Sequence, residues 1–459
     1  KINPFKFPKG IHILEHIDRL VEIFNVCWPM YAAMPAVLKD ALLQAYRVCG
    51  WNLVNSENMY SDDLYPTFQD LLAELVDVIK NSAYSEEVKS NYMGSLVTRV
   101  KSLTNGLNGQ IFAAKEINNK ILFDKKTIID LSRIGSMETK SLIMGILIMR
   151  LSEYRMTSNY EMNQPLKHVT ILEEAHNILK KVSTEQNSEG ANVAGKSVEM
   201  ISNAIAEMRT YGEGFIIVDQ SPSAVDISAI RNTNTKIIMR LPDEQDRRMA
   251  GKSAGLKDEQ LDEIAKLPKG VAVVYQNDWV EPVLCSIQKF RGEEGRYQYV
   301  FEGTEENATA LFKTKILELL LKYRVNDPVD NDIDEVIELL NDADIAVKNK
   351  LVLRKLLNTC KKTEDLPMWK DDNFEELSGV VTEILDGALK TKSAIECSQD
   401  YDELTNRLMK YIAEETEDLP RSFALAASQC LMKNESVDNK ESRDIYAAWI
   451  THLRNKSVL

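Results

Sequence analysis

Two adjacent carboxylates, Glu173 and Glu174, follow directly on the run Val169-Thr170-Ile171-Leu172. A short continuous run of mostly aliphatic and β-branched residues reads as a buried parallel strand, covered on both faces. The two carboxylates then stand at its C-terminal end, where open α/β sheets place their ligands. That pattern suits hydrolysis of a phosphoanhydride. One carboxylate holds Mg²⁺, largely through its waters, and the next orients and deprotonates the attacking water. A buried strand with a solvated acidic exit has the same string, so the surrounding elements must decide.

Those elements alternate. Thr127-Ile128-Ile129-Asp130-Leu131 reads as a strand, and Ser141 to Tyr154 as an apolar helix buried on more than one face. After the strand 169–172 come a helix at 175–181 and a polar stretch, 183–190, read as a mobile loop. A helix is expected from about Lys196 to Tyr211, then strands at 215–220 and 236–240. Residues 271–275 and 282–285 read as an antiparallel pair around Asn277-Asp278. The alternation predicts an α/β fold, with a mostly parallel sheet flanked by helices, over residues 1–303. Residues 11–108 form a helical subregion within it. Thr67 and Ser85 read as helix N-caps there. Residues 304–459 show apolar residues at helical spacing and no strand pattern, and are expected to be a separate all-α domain.

Composition narrows the class. The chain has 459 residues and a net charge of −14, of which residues 304–459 carry −10 from 31 acidic and 21 basic side chains. No basic domain marks a nucleic-acid binder, although a ring can present a few basic loops to a central channel. No run approaches 18 uninterrupted apolar residues, so no membrane span is expected. The six cysteines are scattered without a CxxC pair, which argues against a zinc or disulfide framework and for a cytoplasmic location. The opening Lys1-Ile2-Asn3-Pro4-Phe5 is no signal peptide and reads as the middle of something longer.

A phosphate-loop pattern, Gly-x4-Gly-Lys-Ser, occurs at Gly190–Ser197. The motif cradles phosphate only when a buried strand feeds it. Here polar residues 183–189 precede it, so it reads as a loop and helix start. An isolated P-loop kinase or NTPase using Lys196 is a further reading. Gly251-Lys252-Ser253 lacks the earlier glycine.

Four stretches together resemble the bacterial HerA branch of the HerA/FtsK ATPases. They are Ile171-Leu172-Glu173-Glu174-Ala175-His176, Ala206-Glu207-Met208-Arg209-Thr210-Tyr211-Gly212, Ile217-Val218-Asp219-Gln220-Ser221-Pro222 and Arg231-Asn232-Thr233-Asn234-Thr235-Lys236. Asn3-Pro4-Phe5, Asp130-Leu131-Ser132 and Leu267-Pro268-Lys269-Gly270 also fit, and the similarity covers roughly residues 1–290. The resemblance implies a RecA-like core in a hexameric ring that hydrolyses ATP with Mg²⁺ between subunits and moves along double-stranded DNA. It gives Glu173 the Mg²⁺-side role, Glu174 the water-activating role and Gln220 the sensor role. Arg209 matches the arginine that reaches into the neighbour's site, and Arg240 is a second candidate.

The same resemblance implies a nuclease partner, or an antiviral-defence setting with a nuclease or NADase effector. Family members carry a phosphate loop upstream of the Asn-Pro-Phe stretch, together with an N-terminal β-barrel. Both are missing from this sequence, so ATP binding is expected to need an upstream segment. The function expected is an ATP-driven DNA translocase or helicase. The alternative is an ATP-controlled ring that assembles an effector without translocation.

Overall fold

A computed structural model describes residues 1–61, 63–114, 116–158, 163–181, 189–292, 308–325, 332–343, 345–437 and 440–456. The polar stretch 183–188 and the expected boundary at 303–304 lie outside the described residues. The chain divides into two compact units, Lys1–Phe112 with Glu116–Gln298, and Ala113–Lys115 with Tyr299–Leu459.

The first unit opens on an extended segment held by side chains. Asn3 Nδ2 donates to the Pro66 carbonyl at 3.2 Å, and the Tyr65 hydroxyl donates to the Phe7 carbonyl at 3.2 Å. His16, on helix α1 (Ile13–Cys27), faces the Pro4 carbonyl at 3.1 Å and the Glu153 carboxylate at 2.9 Å. His16 and Glu153 are fully buried, and their pairing keeps two charge-bearing groups satisfied inside the core. Phe5 and Phe7 pack into an aromatic cluster with Tyr46, of α2 (Met34–Val48), and Phe68, of α3 (Phe68–Asn81). Thr67 caps α3 in a capping box with Asp70, and Ser85 caps the helix Glu86–Tyr92, both as the sequence predicts. Helix α4 (Met137–Ser158) buries Leu142, Ile143, Ile146 and Met149. At Gly145 a Cβ would meet Ile23 of α1 at 2.7 Å, so glycine lets the two helices approach closely.

The sheet is smaller than expected. Strand β1 (His168–Glu173) and, beyond helix α5 (Glu189–Glu207), strand β2 (Glu213–Val218) pair in parallel, in register from His168 with Glu213 to Glu173 with Val218. Strands β3 (Thr235–Ile238), β4 (Val271–Gln276) and β5 (Val283–Ser286) form a separate antiparallel sheet. The expectation of a mostly parallel sheet is therefore corrected: among the described residues one strand pair is parallel, while these three strands and the short hairpin of Trp51–Asn52 with Glu57–Asn58 are antiparallel. The pair expected around Asn277-Asp278 is present as β4 and β5.

The strand expected at 127–131 is absent. Ile128 is 90% exposed, and local turns take up the polar groups instead: Ser132 N donates to Asp130 Oδ1 at 2.8 Å, and Ile134 N to the Leu131 carbonyl at 3.1 Å. A β-branched run becomes a strand only where a neighbouring edge accepts its hydrogen bonds, and no described strand pairs with it. β1 is also not covered on both faces. Val169 and Ile171 of β1, with Ile216 and Val218 of β2, stand between 41% and 59% exposed on one face.

On the other face Glu213 fixes the starts of both strands. Its fully buried carboxylate accepts from Arg155 Nε at 2.9 Å, His168 Nδ1 at 2.7 Å and Thr170 Oγ1 at 2.7 Å. Burial works against the Arg155 charge, but its bonds to Asp124 and Glu213 more than offset this and hold the guanidinium above its ordinary range. Gly212 precedes β2 at φ +84°, where a Cβ would meet the Pro165 carbonyl oxygen at 2.5 Å. Only glycine fits that approach.

The second unit contains helices and no strand among the described residues. Its core includes Phe312, Ile316, Leu320, Val336, Leu340, Leu353, Leu357, Phe423 and Trp449. The Trp449 indole donates to Thr405 Oγ1 at 2.9 Å, which satisfies its one polar atom. No described helix in the chain is long and apolar enough to cross a membrane.

Candidate functional site

The parallel register decides which residues meet. Glu173 pairs with Val218, so the next residues, Glu174 on one chain segment and Asp219 on the other, leave the sheet side by side. Gln220 follows. Glu173, Glu174 and Gln220 are all exposed at this edge. The structure therefore brings together three of the five residues singled out from the sequence, at the C-terminal ends of parallel strands.

Glu174 adopts the left-handed conformation, with φ 50° and ψ 49°. For a residue with a side chain this costs about 1–2 kcal/mol. The turn it makes replaces the helix expected at 175–181 with a single 3₁₀ turn, Ala175–Asn177. Ala175 is completely buried beneath it. Asn177 Nδ2 lies 3.4 Å from Glu174 Oε2. Strain of this kind persists where the surroundings hold it, and here it aims a carboxylate away from the strand direction.

Next to this turn stands Asp219, to which sequence reasoning gave no role. Its side chain is 6% exposed. Oδ2 accepts from the His176 backbone N–H at 2.8 Å and from His176 Nδ1 at 2.9 Å, and Oδ1 accepts from Ser221 N at 2.9 Å. Beyond it the two exit segments pair through their backbones. Lys181 N donates to the Ala224 carbonyl and Asp226 N to the Leu179 carbonyl, each at 2.8 Å.

The other two candidates lie elsewhere. Arg209 is exposed in the 3₁₀ turn Met208–Tyr211, at the opposite end of β2 from Gln220. The six residues of β2 put about 20 Å between those ends. Arg209 and Glu174 thus do not form one site within a single chain. Arg240 is exposed just past β3.

Ile217 of β2, Lys236 and Ile237 of β3, and Asp219 just past β2 line one cavity of about 160 Å³. Each of the two strands is paired on one side only among the described residues. Burial holds the Lys236 ammonium below the ordinary lysine range. The Gly-x4-Gly-Lys-Ser pattern is not a loop: Gly190 to Ser197 lie inside α5. Past the first turn the backbone N–H groups bond within the helix, so Gly195 to Ser197 cannot wrap phosphates as a loop does.

No cluster of three or more potential metal-binding side chains exists among the described residues. The donor set at the strand ends, exposed carboxylates with open water access, fits Mg²⁺. That ion keeps several waters and takes one or two carboxylates plus phosphate oxygens.

No family model matches the sequence. It is 23% identical over 301 residues to the DNA double-strand break repair helicase HerA of Sulfurisphaera tokodaii, covering 62% of this chain and 58% of that protein. The protein of the same name from Sulfolobus acidocaldarius is 25% identical over 215 residues, 46% of this chain and 40% of that one. A probable helicase of Methanocaldococcus jannaschii is 23% identical over 319 residues, 64% and 57% of the two chains. Among solved structures, VirB4 of Thermoanaerobacter pseudethanolicus aligns with TM-score 0.47 at 15% identity, over 63% of this chain and 74% of that one. The chain spans about half the length of the curated relatives it matches. The chain thus has homologues named HerA helicase, at 23–25% identity over roughly half to two thirds of its length.

Proposed function

We propose that this chain forms part of a RecA-like, ATP-driven translocase or helicase that acts on double-stranded DNA as a hexameric ring. The observation that carries the proposal is the common edge where Glu173, Glu174 and Gln220 leave two parallel strands, with Glu174 turned by a left-handed backbone. Glu173 holds Mg²⁺ beside the nucleotide phosphates. Glu174 orients and deprotonates the attacking water, and Gln220 contacts the terminal phosphate. Arg209, and secondarily Arg240, serves the neighbouring subunit's site.

The phosphate cradle is assigned to a further segment rather than to Lys196. A strand placed between β2 and β3 would be hydrogen-bonded on both sides, and running parallel to β2 it would end beside Asp219. Lys196→Ala is therefore expected to leave ATP hydrolysis by the full-length protein within a few-fold of wild type. Loss of nucleotide binding in a folded, assembled Lys196→Ala protein would return the phosphate loop to residues 190–197.

The acidic helical second unit favours a second reading. Its −10 charge suits a protein partner, such as a nuclease or NADase effector in antiviral defence, as well as it suits DNA. The ring would then assemble the effector under ATP control without moving along DNA. ATP hydrolysis by the full-length protein, measured with and without linear duplex DNA, separates the two. Stimulation with displacement of a roadblock supports translocation. Unchanged hydrolysis and no displacement, with ATP-dependent assembly intact, supports the scaffold.

A further inference from the structure

We propose that Asp219 and His176 form a brace that positions Glu174 for its work on water; this rests on the reading of Glu174 as the hydrolytic carboxylate. One buried carboxylate ties together the exits of both parallel strands. Oδ2 takes the backbone N–H and the Nδ1–H of His176, two residues beyond Glu174, and Oδ1 takes the N–H of Ser221, just beyond Gln220. The residue that activates water and the residue that contacts phosphate are thereby held at one spacing. Bonds from N–H groups to an ionised acceptor are stronger than neutral ones, and three of them converge on this side chain.

Glu174 needs such a constraint. Its left-handed backbone is disfavoured for a residue with a side chain, so the turn relaxes wherever its surroundings allow. The backbone pairings of Lys181 with Ala224 and of Asp226 with Leu179 begin several residues later, and the bond from Asn177 N to the Glu174 carbonyl at 3.0 Å is internal to the turn and does not tie it to the β2 exit. Removing Asp219 therefore loosens the Glu174 end while the exit segments stay paired. Asp219 and His176 are positioning residues: they act through Glu174. A misplacement near 1 Å at a reacting group can cost about 10²-fold in rate.

The test uses the full-length protein, with steady-state ATP hydrolysis and amide hydrogen exchange measured together. Asp219→Ala is expected to lower kcat about 10- to 100-fold, with a smaller rise in KM because the same carboxylate also steadies the segment carrying Gln220. Its His176 amide should exchange faster, while β1 and β2 amides stay protected. His176→Ala is expected to lose part of the activity. His176→Asn places an amide N–H near the position of Nδ1 and should restore most of it.

The brace is overturned if folded Asp219→Ala keeps kcat within twofold of wild type, or if His176→Asn and His176→Ala are equally impaired. Unchanged exchange at His176 in Asp219→Ala also overturns it. If Asp219→Ala does not fold, Asp219→Asn and the two His176 variants carry the same comparison. Full turnover by Glu174→Gln would instead refute the hydrolytic reading, and the exchange measurement would still decide whether Asp219 holds the turn.

Discussion

Arg209→Ala is expected to cut ATP turnover by the assembled full-length protein about 10³-fold while leaving each chain folded. The side chain is exposed, so no core packing is lost. It stands at the opposite end of β2 from Gln220, and a strand of six residues keeps it from the Glu174 site of its own chain. A closed ring repeats one head-to-tail interface, so a face remote from the site in one subunit can complete the site of the next. A planar guanidinium suits this role because it can bond two phosphate oxygens at once and is always charged.

The decisive version of this experiment mixes two inactive proteins. Arg209→Ala and Glu174→Gln subunits, combined in one ring, should regain part of the activity. Some interfaces then pair an intact Arg209 from one subunit with an intact Glu174 from the other. Differential tags must establish that hybrid rings form. Hybrid rings that hydrolyse no faster than either parent contradict independent sites completed in trans. An effect of Arg209→Ala on nucleotide affinity in the isolated monomer would then assign the residue to its own subunit's site.

Much of the candidate site was legible because its chemistry lies at strand ends. An aliphatic run followed by Glu173-Glu174, and a second followed by Asp219-Gln220, identify two strands whose exits carry polar groups. The structure pairs them in parallel and in phase. Caps were legible for a similar reason: Thr67 and Asp70 interact across three residues of sequence. The brace was not legible. Asp219 and His176 are 43 residues apart, and nothing local shows that they touch. The left-handed turn at Glu174 was hidden as well, since glutamate carries no sign of that conformation, whereas Gly212 does.

Two expectations failed for instructive reasons. The run at 127–131 has the composition of a strand, but strand formation depends on a partner edge that no single segment encodes. The predicted parallel sheet overstated the parallel pairing for a related reason, because strand direction follows from long-range connections and not from composition. The Gly-x4-Gly-Lys-Ser match went the other way. Its residues satisfy the phosphate-loop spelling, yet the polar stretch before them pointed to a helix start, and α5 takes in the whole pattern.

Glu174, in the proposed function, activates the water that attacks ATP. Glu174→Gln keeps the side-chain length and removes the charge that accepts a proton. In the full-length protein it is expected to bind ATP with affinity near wild type, to assemble normally, and to lose about 10²-fold or more in kcat, the scale of a positioned base. Rapid-quench measurement of a single turnover on preassembled, ATP-saturated protein isolates that step from binding and assembly. A bound but unhydrolysed nucleotide is the expected result. A single-turnover rate equal to wild type would contradict it.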